Sequence, residues 1–292
     1  MHISLGTAKI GMNYGITSRN KSITNNDLKK IFFFLKRSKI KSLDISPLYG
    51  NLFKKIKKYD LQKLNITYKI YIKRKNFSKN QIRDQVISDM KTLNLKKFET
   101  ILVHNVHEID KKKLNKTLEV FKKLKENKLV KKIGISIYSK REFQKVSNRN
   151  RIDVIQIPLN IFDQRALHEN WINQMCNKKN IEIQVRSIFL QGILLCDLKK
   201  FDNIFIKKNP IIKKWNKFCN NDYYLKLINS INFVKNQKNI KKIIIGFEDI
   251  NQLKENYKIM KKKTRKINYK IFSCKSINLI DPRKWNENKM LI

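Results

Sequence analysis

The segment 99-ETILVHNVHEIDKKKLNKTLEVFKKLKENKLVKKIGIS-136 contains one complete repeat of the pattern that runs through the chain. Its opening, 99-ETILVHN-105, is an apolar run too short for a buried helix. Leu114, Leu118, Phe121 and Leu124 then recur at helical spacing, and 131-KKIGIS-136 returns to a strand-like run. Strand, helix and strand in this order make two parallel strands joined by a right-handed crossover.

Working outward, the same alternation extends in both directions. Before it lie the runs 2-HISLGTAKI-10, 41-KSLDIS-46 and 66-ITYKIYI-72; after it come 154-VIQIPLN-160, 182-EIQVRSI-188 and 241-KKIIIGF-247, which makes eight. Helical spacing separates them, with Leu28, Ile31, Phe32 and Leu35 in one segment and Ile82, Val86, Met90 and Leu93 in another. Thr24 and Ser78 stand where N-caps belong. Phe32, Phe33, Phe34 and Leu35 are expected to pack a helix against a sheet. Eight strand-helix pairs match an α/β fold of the closed (β/α)8, or TIM-barrel, type. A doubly wound open sheet is the alternative, but 5-LGTAKIGMNYG-15 lacks the G-x-G-x-x-G spacing such a sheet wants after its first strand.

The bulk numbers permit this and narrow the partners. With 292 residues and 41% hydrophobic content the chain can bury a large core, in one barrel or two smaller domains. No linker or low-complexity tract interrupts it, so a single domain over 1–292 is expected, with a loop insertion at about 189–222 and a tail at about 264–292 over the barrel mouth. Sixty-six Lys+Arg against 23 Asp+Glu give a net charge of +43, which would attract polyanions without sequence preference. The lysines are scattered through every segment and travel with Asn and Ile, as a compositional bias would produce. No basic run is interleaved with aromatics as in a nucleic-acid module, so no specific nucleic-acid partner is expected. Cys176, Cys196, Cys219 and Cys274 form no Cys-x-x-Cys pair, which leaves no expected metal site or redox dithiol and fits a reducing, cytoplasmic location. The start carries no leader pattern, and no run approaches the roughly 18 apolar residues of a membrane span. Monomer and homo-oligomer both remain open.

In a barrel of this kind chemistry gathers at the C-terminal ends of the strands. There the second run holds Asp44, with Tyr49 in the loop beyond; the third carries Lys69 and the fourth ends at His104. A free phenol titrates near 10 and is a poor acid at neutral pH, but an ammonium beside it stabilises the phenolate. Lys69 can supply that charge, Asp44 can hold the charge on a desolvated lysine, and a neutral His104 can orient a substrate oxygen. These groups suit proton delivery to a carbonyl oxygen and cannot supply two electrons, so a nicotinamide hydride donor is implied. His107 falls past the strand and is read as the pocket rim. Trp215 and Trp285, in the insertion and the tail, are read as structural first and pocket-lining second.

At these residues the chain resembles the aldo-keto reductase family over almost its full length. The resemblance rests on 5-LGTAKIGMNYG-15, 44-DISPLYG-50, 66-ITYK-69, 101-ILVHN-105, 133-IGIS-136, 154-VIQIPLN-160, 186-RSIFLQG-192 and 244-IIGFEDINQLKEN-256, in the family's order and spacing. It implies a (β/α)8 barrel and NADP(H)- or NAD(H)-linked carbonyl reduction, with Tyr49 as proton donor, Lys69 as its modulator, Asp44 as the lysine's partner and His104 as the orienting group. It also implies Ser136 and Gln156 at the nicotinamide carboxamide, Ser187 and Phe189 near the pyrophosphate, and Glu255 and Asn256 at the adenine. Gly6, Thr7, Arg186, Gly192, Gly246 and Gln252 complete the implied nucleotide site. The segments PLNIFDQR, RSIFLQG and LIDPRKW resemble reductases associated with bacterial surface-sugar pathways, which implies a sugar or nucleotide-sugar carbonyl as substrate.

Three positions depart from the family pattern. Ile137 follows Ser136 where an asparagine is common, Arg186 stands where a tyrosine stacks on the nicotinamide, and the positions that would grip a 2′-phosphate are Gly246 and Gln252, with Glu248 and Asp249 close by. NAD is therefore as open as NADP. Two readings from other classes stand beside the reductase: a barrel that binds nicotinamide nucleotide as a regulatory module without turnover, and a basic polyanion-binding protein.

Overall fold

Ile, Val and Leu fill the eight short runs, and in the computed structural model these run parallel and close in chain order into a barrel. The structure describes residues 2–16, 22–73, 75, 78–147, 151–170, 172–175, 180–200 and 204–287. The strands are β1 (His2–Gly6), β2 (Ser42–Ile45), β3 (Asn65–Ile70), β4 (Phe98–Val103), β5 (Val130–Ser136), β6 (Val154–Pro158), β7 (Glu182–Arg186) and β8 (Ile240–Ile245). β8 pairs back with β1, so no strand edge is left open. The open-sheet alternative is thereby excluded.

The helices form where the spacing predicts them. Asn25–Arg37 starts at Thr24, whose side chain accepts from the Asp27 amide while Asp27 accepts from the Thr24 amide, a reciprocal cap. Ser78 caps Lys79–Thr92 in the simpler way, and Asp110 caps Lys111–Glu126. Leu28, Ile31, Phe32 and Leu35 turn inward as expected. Phe33 does not: it is 59% exposed and lies under the Arg37 guanidinium, because three consecutive residues cannot share one helix face.

Most strand expectations overran the observed strands at their C-terminal ends, two of them into buried loops. β1 stops at Gly6 and Ala8–Gly11 is a helical turn; β7 stops at Arg186, after which Ser187, Leu190 and Gln191 adopt positive φ. In both cases apolar residues continue because the loop itself is buried: Ile10, Ile188 and Leu190 pack as tightly as strand residues.

Beyond β7 the chain runs through Leu190–Leu195, Pro210–Phe218 and Tyr223–Lys235 before β8. Trp215 ties this excursion to the tail. It is fully buried, its Nε1 donates to the Leu194 carbonyl at 2.8 Å, and its ring meets Phe162 and Phe272 edge-on. Trp285 is likewise buried, with Nε1 donating to the Leu279 carbonyl. Both tryptophans are packing residues. Cys196, Cys219 and Cys274 are free thiols, and Cys176 lies outside the described residues. Among the described residues no helix is long and apolar enough to cross a membrane.

Candidate active site

β2, β3 and β4 lie side by side, with Asp44 level with Thr67 and Lys69 level with Leu102. Asp44 and Lys69 are the second-to-last residues of their strands, His104 follows β4 directly, and Tyr49 sits in the turn after β2. That placement brings all four side chains into one cavity of about 1190 Å³.

Lys69 Nζ lies 2.6 Å from Asp44 Oδ1, and both residues are buried. Gln156, from β6 on the far side of the barrel, donates from Nε2 to Asp44 Oδ2 at 2.8 Å and accepts from Lys69 Nζ at 3.5 Å. The ammonium is 5.1 Å from the centre of the Tyr49 ring, and Tyr49 meets His104 edge-on with ring centres 6.0 Å apart.

Two glycines set the position of Tyr49. A Cβ on Gly11 would collide with the Tyr49 carbonyl oxygen, and Gly50, at φ +53, would bring a Cβ to 2.5 Å from the Gly11 carbonyl oxygen. The Asn51 amide donates to that same Gly11 oxygen at 3.1 Å. The glycine-rich element after β1 thus allows two backbones to touch, and this contact fixes the turn that carries the phenol.

Electrostatics follow from the burial. Burial works to strip the proton from Lys69, but the Asp44 carboxylate, Tyr49 and the hydrogen bonds to both outweigh it and hold the lysine above its ordinary value. Burial likewise raises the Tyr49 phenol; Lys69 pulls it down, Asp44 pushes it up, and Arg186 pulls it down, with a net upward result. The lysine's expected effect on the phenol is present, yet burial exceeds it, so Tyr49 holds its proton. His104 is held well below 6.5 by burial first, then by Lys69, Arg186 and His107. Its imidazole is neutral at physiological pH.

From the tetrad the cavity runs towards the β7 and β8 loops. Gly6, Thr7, Arg186, Ser187, Phe189, Gly192, Gly246, Gln252 and Glu255 all line it. Ser136, Gln156 and Asn256 do not: Ser136 accepts from Arg186 Nε at 3.3 Å, and Asn256 lies just behind the wall, donating to the Gly246 carbonyl at 3.1 Å. Asn256 Oδ1 is buried with no hydrogen-bond partner. The Arg186 guanidinium stacks 4.1 Å from the centre of the Tyr138 ring, which Arg283 also approaches at 3.7 Å and His107 meets edge-on. Arg283 comes from the tail and is held by Asp281 and Glu142.

Tyr138, Arg283 and Tyr14 line the mouth and went unread in the sequence. Tyr138 lies two residues past the end of β5, where the rule that chemistry follows strand ends would have found it. Arg283 gave no such signal, because only the path of the tail brings it there. His107 lines the mouth beside Glu108, its Nε2 3.3 Å from that carboxylate.

The sequence model described as the aldo/keto reductase family matches residues 2–275. No curated protein matches the chain significantly. Among solved structures, an aldo-keto reductase of Bacillus halodurans in its holo form superposes with a TM-score of 0.70 at 18% identity, covering 93% of this chain and 90% of that one. The glycerol dehydrogenase of Gluconobacter oxydans gives 0.65 at 15% identity over 96% and 92%, and an aldo/keto reductase of Brucella melitensis 0.63 at 16% over 93% of each. At these identities the structural likeness is one of fold.

Proposed function

Because the chain belongs to the aldo/keto reductase family, whose members are NAD(P)-dependent oxidoreductases, we propose that this cavity reduces an aldehyde, ketone or sugar carbonyl with Tyr49 giving the proton. The observation that carries the reading is the buried Asp44–Lys69 pair set against the Tyr49 ring. A desolvated ion pair this close to a protonated phenol has a chemical use: as the phenol gives up its proton, the ammonium stabilises the charge that develops on its oxygen. Gln156 supports the pair by holding the second carboxylate oxygen. His104, neutral beside the phenol, orients the substrate.

A dinucleotide fits the rest of the cavity. The space above Gly246 is open, with no atom within 4 Å of where a Cβ would stand, and the partnerless Asn256 Oδ1 lies behind that same loop. Ser187, Phe189 and Gly192 would hold its phosphates, and Gln252, Glu255 and Asn256 its adenosine. When bound, its nicotinamide supplies the hydride that these residues cannot. The adenosine end is lined by Asp197, Glu248, Asp249 and Glu255. Of the described cations there, Lys9 pairs with Glu248 at 3.1 Å and Lys226 donates to the Cys196 carbonyl and Asn221. A carboxylate lining accepts a ribose hydroxyl and repels a 2′-phosphate, which supports NADH over NADPH. The aromatic and polar mouth, with Tyr14, Tyr138, His107 and Glu108, supports a hydroxylated substrate such as a sugar.

The test is consumption of reduced cofactor by purified protein against a panel of simple and sugar carbonyls, alongside cofactor titration by fluorescence. Turnover with some carbonyl is expected. Tight cofactor binding with no turnover on any of them would favour the regulatory barrel instead.

A further inference from the structure

Arg186 ends β7, and its charge has no part in the reaction as described so far. The β6–β7 register sets Gln184 level with Gln156, the residue that holds the Asp44 carboxylate, so Arg186, two positions on and on the same face, stands one layer above it. The part-buried guanidinium lines the cavity together with Tyr49, Lys69 and His104. Its hydrogen bonds go to neutral acceptors: the Ser136 hydroxyl 3.3 Å from Nε, the Ser187 hydroxyl 3.4 Å from one terminal nitrogen and the Ile137 carbonyl 3.5 Å from the other.

Among the described residues no carboxylate forms an ion pair with Arg186. Asp44 is taken by Lys69 and Gln156, Glu108 by His107, and Glu248 by Lys9. A guanidinium keeps its charge at every working pH. Here burial acts against that charge, and the phenols of Tyr138, Tyr14 and Tyr49 outweigh it. At the reaction centre Lys69 cancels Asp44, Tyr49 keeps its proton and His104 is neutral. The charge of Arg186 is what remains.

The chemistry of hydride transfer brings a nicotinamide ring to this charge. The carbonyl oxygen takes the Tyr49 proton, the hydride enters at the carbon bonded to that oxygen, and its donor must come within about 3–3.5 Å of that carbon. Hydride leaves with its electron pair, so the ring that gave it turns from neutral to cationic. We propose that Arg186 makes the site select the reduced cofactor: its uncompensated charge repels the oxidised ring and leaves the neutral reduced ring undisturbed, so NADH is held more tightly than NAD⁺ and NAD⁺ is expelled once Tyr49 has recovered its proton. This rests on the carbonyl-reductase reading above. Arg186 already acts over the required range, since it helps to pull down both the Tyr49 phenol and the His104 imidazole. A reductase that draws on NADH must take it in competition with NAD⁺, and a cation at the ring supplies that discrimination without any contact to the adenosine, which the two forms share. The other use of such a guanidinium, gripping a cofactor phosphate, would strengthen both forms alike.

Equilibrium titration of the purified protein tests this, with NADH followed by its own fluorescence and NAD⁺ by displacement of NADH. The wild type is expected to bind NADH at least about tenfold more tightly than NAD⁺. Arg186→Gln is expected to bring that ratio to about twofold or less, chiefly by strengthening NAD⁺ binding, which loss of a merely structural contact would not do. Arg186→Lys keeps the charge and is expected to hold the ratio within about threefold of wild type. A loss of affinity in Arg186→Gln that falls equally on both forms would overturn the proposal by showing that Arg186 grips a phosphate. Equal affinities in the wild type would overturn it with no variant needed. Carbonyl turnover alongside equal affinities would leave the reductase reading standing and sink this inference alone, whereas binding of neither form would sink both.

Discussion

Asp44 Oδ1 and Lys69 Nζ stand 2.6 Å apart on adjacent strands, with the side chains 2% and 4% exposed, and neither has water to fall back on if the other is removed. Breaking a buried pair by removing one partner costs about 3–5 kcal/mol, whereas replacing both by apolar groups is often neutral. Urea denaturation of Asp44→Asn is therefore expected to show a loss of that size. Asp44→Leu combined with Lys69→Met should be more stable than the sum of the two single losses predicts. Strict additivity would mean the two charges do not depend on one another.

Gly11 supports the site without touching the substrate. Its backbone lies against the Tyr49 carbonyl, so Gly11→Ala must push the turn that carries the phenol. Overpacking of this kind costs about 1–3 kcal/mol, and a displacement near 1 Å at a reacting group can cost about a hundredfold in rate. The expected result is a variant that still folds, with a lowered Tm and kcat down by tenfold or more, while cofactor affinity changes little. Unchanged kcat would show that the turn finds its position by other means.

Histidine burial sets a pH dependence of stability. Folded His104 resists protonation while the unfolded chain takes up a proton near pH 6.5, so the unfolded state binds more protons below that value and stability falls as pH drops through it. His107, lowered by burial and by Arg283, acts with the same sign. Thermal unfolding from pH 7 to pH 5 is expected to show a falling Tm, with a shallower fall in His104→Gln. Parallel slopes would mean that His104 is not the group responsible.

In the proposed placement of the nucleotide, the carboxylates towards the β7 and β8 loops predict the order of cofactor affinity. With Glu248, Asp249 and Glu255 lining that region and Lys9 engaged by Glu248, the phosphorylated cofactor meets repulsion where a hydroxyl meets acceptors. Fluorescence titration is expected to give a lower Kd for NADH than for NADPH, and the gap should narrow in Glu255→Gln. Tighter binding of NADPH would contradict this assignment of the cavity's two ends.

The barrel was legible because parallel buried strands read as short apolar runs whatever loops join them, and the tetrad was legible because it sits where those runs end. Strand limits were less so, since buried loops such as 187–190 carry the same apolar residues as the strands they follow. Tyr138 followed from the same rule and was passed over. Arg283 was beyond reach, because its position depends on how the tail crosses the mouth. A serine after a strand reads as a turn residue, and only distances reveal that the Ser46 hydroxyl reaches both Lys69 and His104. Asp197, Glu248, Asp249 and Glu255 line one part of the cavity in a chain of net charge +43, a local clustering that the overall charge does not disclose.

In the proposed reaction Tyr49 gives the proton, and replacing it by phenylalanine removes one oxygen and leaves the fold of the turn in place. Single-turnover oxidation of pre-bound reduced cofactor by a substrate carbonyl, measured for wild type and Tyr49→Phe, tests it most directly. The expected rate for Tyr49→Phe is lower by about a hundredfold to ten-thousandfold with cofactor Kd unchanged; turnover of Tyr49→Phe at the wild-type rate would refute Tyr49 as the proton donor.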